Sequence, residues 1–205
     1  IAQGTPWFGF KTSPATVLVH QVELPKLVAK ERTMKYAAGN RADSYNIFFK
    51  TPADDLHLDT TYGLGQMDKD IEEVKRRAAD PKLPLVVILD PLYLHMTGHI
   101  SDEYEVKKFQ TNANILRKKH NLTFIIIHHS RLTRVDNGGQ VVDLGAEELM
   151  GSSYWNNWMD TIMRIKLTNP FSGSDTMHLD FSKTRNAQNF LQGFTVKWHR
   201  DNFIR

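Results

Sequence analysis

The chain contains no cysteine. A disulfide framework and thiolate zinc sites are therefore excluded, and the composition fits a reducing compartment such as the cytoplasm. No apolar run approaches the roughly 20 residues that span a bilayer, so no membrane partner is expected. The first residues, IAQGTPWFGF, have neither an initiator Met nor the basic end and apolar core of a signal peptide. Charge of one sign is also scarce. The formal net charge is +3 over 205 residues, a weak hint of a polyanionic partner. No G-x-x-x-x-G-K-[ST] pattern occurs anywhere, so the sequence lacks the usual glycine cradle for a nucleotide phosphate.

What is present is ordinary globular material, 40% hydrophobic and 24% charged. The basic residues are unevenly placed. Residues 107–134 hold seven Lys or Arg and no acid, and residues 183–205 hold five with Asp201 as the one acid. Such runs form either a solvated basic face or a polyanion surface.

Strand and helix patterns alternate. Apolar or β-branched runs predict strands over 15–21, 45–50, 85–90 and 122–129. Amphipathic segments predict helices over 24–39, 66–80 and 101–119. Gly39 is expected to stop the first, and Ser101 to cap the third. Val106, Phe109, Ala113 and Leu116 make the buried stripe of the third helix. The run Leu85-Val86-Val87-Ile88-Leu89 is aliphatic on both faces, as in a central parallel strand, and it ends on Asp90. Residues 131–145 are polar and Gly-containing and read as a loop. A short helix and turn over 145–160 follow. Then come strands at 161–167, 176–183 and 194–200, whose alternation suggests antiparallel pairing at the edge of the sheet. The expected architecture is one α/β domain of three layers with a mainly parallel sheet.

Polar residues cluster at the strand ends, where an open parallel sheet binds its ligands. Glu23 follows the first strand, Asp90 the third, His128 and His129 the fourth, and Lys183 and Arg185 the strand near residue 180. An acid after a strand is also a common cap or turn residue, and a His pair is also a common hydrogen-bonded structural pair. An aliphatic run closing on Asp is the Walker B pattern, in which the carboxylate holds hydrated Mg²⁺.

Order and spacing add a resemblance over most of the chain. VELP (22–25), LHLDTTYG, VVILDPLYL, FIIIHHSRL, GSSYWNNWMDTIMRI and SKTRNAQNF resemble successive elements of the RecA-like ATPase core of hexameric replicative helicases, particularly the plasmid RepA and DnaB branch. The last matches a KxRNG element, with Ala187 in place of the Gly.

The resemblance implies a RecA-like P-loop NTPase core that binds ATP and Mg²⁺ and hydrolyses ATP in a homo-oligomer, typically a hexamer, on single-stranded DNA. A primase or loader is an implied partner. It further implies that Asp90 holds Mg²⁺ through water and that Glu23 polarises the attacking water. His129, or else His128, senses the γ-phosphate. Lys183 and Arg185 reach the nucleotide of the adjacent subunit. Loops 95–102 and 130–140 face the DNA channel, with Arg131 and Arg134 on its phosphates.

The missing glycine loop is the one large departure. IAQGTPWFGF looks like the end of the helix that such a loop begins. The expectation is therefore a single domain over 1–205 whose first strand and phosphate loop lie upstream. A RecA- or KaiC-like ATPase without unwinding activity, or a non-hydrolysing scaffold, are the alternatives.

Overall fold

A computed structural model describes residues 1–40, 46–51, 56–129, 134–135, 141–142, 153–167, 175–187 and 191–197, with backbone alone at 36–40, 134–135 and 141–142. Four strands, β1 (Thr16–Gln21), β2 (Ile47–Lys50), β3 (Leu85–Asp90) and β4 (Leu122–Ile126), pair in parallel in the order β2-β1-β3-β4. Parallel neighbours need crossovers. Helices α1 (Lys26–Asn40), α2 (Thr61–Arg77) and α3 (Glu103–His120) supply them. In this register Gln21 lies beside Asp90, so β1 and β3 end level with each other.

The helix boundaries follow local chemistry. The Thr60 hydroxyl accepts from Gly63 N at 3.0 Å and starts α2. Gly63 is required there, since a Cβ would stand 1.9 Å from the His57 carbonyl oxygen. Helix α3 is capped by Asp102, whose Oδ1 accepts from Tyr104 N and Glu105 N at 2.9 and 3.1 Å. Ser101 was the expected cap; a carboxylate one residue on satisfies two amides and also gains from the helix dipole. Asn121, at φ 50° and ψ 55°, ends α3 in the left-handed region that Asn tolerates. Helix α1 runs through Gly39 to Asn40, so that expected stop is not one.

The core sits on one face of the parallel sheet. Leu18, Val87, Leu89 and Leu122 pack against Met67, Ile71 and Val74 of α2 and Val106, Phe109, Ala113 and Leu116 of α3. The expected α3 stripe is the observed one, with all four residues fully buried. The other face is thinly covered. Ala2, Ala15, Val17 and Val86 are buried there, while Val19, Ile47, Ile88 and Ile125 are only partly so. Of the three-layer sandwich, the described residues thus build two layers densely. In α1, Ala29 is buried but Leu27 and Met34 are 80% and 61% exposed.

The C-terminal part contains α4 (Ser153–Trp158) and an antiparallel sheet of β7 (Thr161–Leu167), β8 (Thr176–Thr184) and β9 (Phe194–Lys197), preceded by the short pair β5 (Arg134–Val135) and β6 (Val141–Val142). The antiparallel pairing is as expected, but these strands form their own sheet, with no pairing to β1–β4 among the described residues. Part of the expected loop over 131–145 is the β5–β6 ribbon.

One face of the β7–β9 sheet is apolar, with Met163 opposite Phe181, Ile165 opposite Leu179 and Val196 opposite Met177. The rings of Trp7, Phe8 and Phe10 lie on it, 5.4 to 6.1 Å from those of Phe194 and Phe181. A tight turn holds them, closed by paired Trp7 and Phe10 backbones, with Phe8 and Gly9 at φ 46° and 85°. Residues 1–4, expected as a helix end, make one hydrogen-bonded turn, Gly4 N to Ile1 O at 3.0 Å. No helix among the described residues is long and apolar enough to cross a membrane.

Candidate nucleotide site at the sheet rim

Three strand ends meet at Asp90. The carboxylate is half-buried at the last position of β3. Gln21 Nε2 donates to its Oδ2 at 3.3 Å, and Val22 N donates to its backbone oxygen at 3.1 Å. The Gln21 side-chain oxygen accepts from Leu24 N at 2.6 Å, which folds the turn carrying exposed Glu23 back towards the rim. On the far side, Ile127 N donates to Leu89 O and Leu92 N to Ile127 O, at 2.9 and 2.8 Å. This lashes the chain beyond β4 to the exit of β3 and puts the His129 ring 5.6 Å from that of Tyr93.

Electrostatics agrees with the convergence. Burial raises the Asp90 pKa above the usual carboxylate value, and the negative charge of Glu23 pushes the same way. The Gln21 hydrogen bond, His129 and Arg32 pull against them. Glu23 and His129 therefore lie within charge range of Asp90. Gln21 and Arg32 also act on Asp90, and neither they nor Tyr93 were singled out by the sequence. The signal for Gln21 was its place opposite Asp90, visible only once the register is known.

Lys183 and Arg185 are elsewhere. Lys183 Nζ donates to Asn156 O at 2.5 Å. Arg185 donates through Nη1 to Asp160 Oδ1 at 3.0 Å and through Nη2 to Asn157 O at 2.6 Å, and its backbone N–H bonds Asp160 O at 2.8 Å. Both cations thus cling to α4 and the turn after it rather than to the Asp90 rim of their own chain. Arg131 lies outside the described residues, and of Arg134 only the backbone, in β5, is described. Of the loop 95–102, Thr97 and Gly98 are pinned to buried Asp59.

Among the described residues no group of three or more His, Asp or Glu side chains is placed to hold a metal ion. A lone, half-buried carboxylate such as Asp90 still fits Mg²⁺, which keeps most of its waters and needs one or two carboxylates beside substrate phosphates.

A family model described as an AAA domain matches residues 1–134. No curated protein matches the sequence. Among solved structures, one described as an ATPase domain aligns with a TM-score of 0.67 at 14% identity, over 92% of this chain and 73% of that one. A DnaB-like replicative helicase, solved in a study of its interactions with primase, gives 0.66 at 13% identity, over 93% of this chain and 51% of that one. The chain thus spans about half the length of that helicase. A KaiC-like protein from Pyrococcus horikoshii OT3 gives 0.50 at 8% identity, over 92% and 75%. The fold is the RecA-like ATPase core found in replicative helicases: a parallel sheet with helices, joined to an antiparallel sheet.

Proposed function

The chain belongs to the AAA domain family, and from this premise we propose that it is the ATPase core of a ring-forming motor that moves on single-stranded DNA, a replicative helicase of plasmid, phage or mobile-element type. The observation that carries the reading is Asp90 at the exit of β3 on the rim of the parallel sheet, hydrogen-bonded by Gln21 and within charge range of Glu23 and His129.

Asp90 would hold a hydrated Mg²⁺, which when bound neutralises charge on the ATP phosphates. Glu23, exposed beside it, accepts hydrogen-bonding from the attacking water and takes up its proton. His129, its ring tilted against that of Tyr93 beyond the end of β4, is suited to register loss of the γ-phosphate and pass it to the segment after residue 129. Lys183 and Arg185, held on the α4 corner, are presented to the nucleotide of a neighbouring subunit, where they stabilise transferred negative charge. Arg131 and Arg134 contact DNA phosphates without reading sequence.

The phosphate-binding loop itself is not among the 205 residues. The sheet supports its being supplied by a further strand and helix. Strand β4 is mostly apolar, with Leu122, Phe124, Ile125 and Ile126 around an exposed Thr123, yet among the described residues it pairs with β3 alone, and the neighbouring sheet face is half-covered. A homo-hexamer, a cytoplasmic location and contact with a primase or loader complete the reading; the DnaB-like relative's own study of primase supports the last.

The test uses the full-length protein. Mg²⁺-dependent ATP hydrolysis stimulated by single-stranded DNA, with displacement of a strand from a forked duplex, is expected, and Asp90→Asn should abolish both. An Asp90→Asn protein as active as the wild type would refute the site. The likeness to the KaiC-like protein favours a second reading, an ATPase that assembles without unwinding. DNA-independent hydrolysis with no strand displacement would select it.

A further inference from the structure

We propose that Gln21 is a positioning residue for this site, a clasp that sets where Glu23 stands relative to Asp90. The inference rests on the reading above for the roles of those two carboxylates, but its geometry does not. Gln21 is 5% exposed, and a buried side-chain amide must have both ends matched. Its NH₂ donates to Asp90 Oδ2 at 3.3 Å, and its oxygen accepts from Leu24 N at 2.6 Å. The backbone adds a third tie, Val22 N to Asp90 O. Glu23 is the residue enclosed by these bonds, between Val22 and Leu24. It lies on an exposed turn that has no strand pairing of its own among the described residues.

Of the common side chains of this length, only an amide can both donate to a carboxylate and accept from a backbone N–H. Glu accepts but cannot donate when ionised, and Met fills the same shape and does neither. A general base is effective only when held within a fraction of an ångström of its working position. The clasp provides that hold and references it to the carboxylate proposed to carry the metal.

The experiment compares Gln21→Glu and Gln21→Met with wild type in the full-length protein, by steady-state ATPase kinetics and by amide hydrogen exchange at Leu24 without nucleotide. Gln21→Met is expected to speed Leu24 exchange at least tenfold, whereas Gln21→Glu keeps the Leu24 bond and its protection. Both variants lose the tie to Asp90, so both should lose about tenfold or more in kcat while KM for ATP changes little, the pattern of a misplaced catalytic group.

A wild-type kcat in either variant, or equal Leu24 exchange in the two, would overturn the proposal. If Gln21→Met does not fold, Gln21→Glu still decides it through kcat. Should the wild type itself not hydrolyse ATP, the functional reading fails, and the exchange contrast between the variants still judges the clasp on its own.

Discussion

Thr97 is fastened to Asp59 by three hydrogen bonds, from its backbone N–H to Oδ1 and Oδ2 at 3.1 and 2.8 Å and from its hydroxyl to Oδ2 at 2.7 Å. Gly98 N adds a fourth at 3.2 Å. Asp59 stands just before α2, so this bond set ties the segment after β3 to the start of a helix buried in the core. Removing the carboxylate leaves two amides and a hydroxyl to find new partners. Asp59→Ala is expected to cost about 3 kcal/mol and Asp59→Asn roughly half of that, measured as shifts in the urea midpoint at constant m.

The buried histidine pair makes stability depend on pH. Burial lowers the pKa of His95 from 6.5 to about 4, with His20 and His57 nearby adding to the shift and the Nδ1–H bond to Pro91 O opposing it. His20 also faces Asp70 Oδ2 at 3.1 Å, close enough for an ion pair but not aligned as a hydrogen bond. Because the folded His95 resists protonation, its contribution is complete above pH 6.5 and is lost as pH falls towards 4. The loss is about 1.4 kcal/mol per unit, roughly 3 kcal/mol in all. His95→Asn retains a donor for Pro91 O and should flatten the stability profile between pH 6.5 and 4. An unchanged slope in chemical denaturation would contradict the assignment.

Arg185→Ala should abolish hydrolysis, by about 10³ or more in kcat, and leave nucleotide binding intact. Its ion pair with Asp160 is half-exposed on both sides, so folding should change by less than about 1 kcal/mol. Mixing Arg185→Ala protein with Asp90→Asn protein tests the shared site directly. Some mixed interfaces then pair an intact rim with an intact arginine, and partial activity should return. Full activity in Arg185→Ala alone would remove the arginine from the mechanism.

Replacing Arg131 and Arg134 together by Ala should weaken binding to single-stranded DNA uniformly across sequences. If each arginine neutralises one phosphate, the slope of log affinity against log salt should fall by about 1.4. An unchanged slope would return both residues to the solvated surface.

Much of this fold could be read from the sequence because burial leaves periodic marks. The aliphatic run before Asp90 is a central strand, and the stripe Val106, Phe109, Ala113 and Leu116 is the buried face of α3. What could not be read depends on pairing between distant segments. Gln21 gains meaning only from the register that sets it beside Asp90. Competing local groups also mislead, as at the start of α3, where Asp102 rather than Ser101 accepts the free amides. Lys183 and Arg185 were legible as a motif, but their anchorage on Asn156, Asn157 and Asp160 was not, because backbone oxygens leave no trace in residue identity.

The edge of β4, which pairs with β3 alone among the described residues, has a practical consequence. A largely apolar strand that offers a row of peptide groups is a template for adding a strand from another molecule. Such an edge, where left uncovered, should join molecules edge to edge, in a manner unrelated to a functional ring. The two kinds of assembly would respond oppositely to Thr123→Lys, at an exposed position on β4. Such a charge should dissolve the edge-to-edge species and leave a ring built through the α4 corner in place.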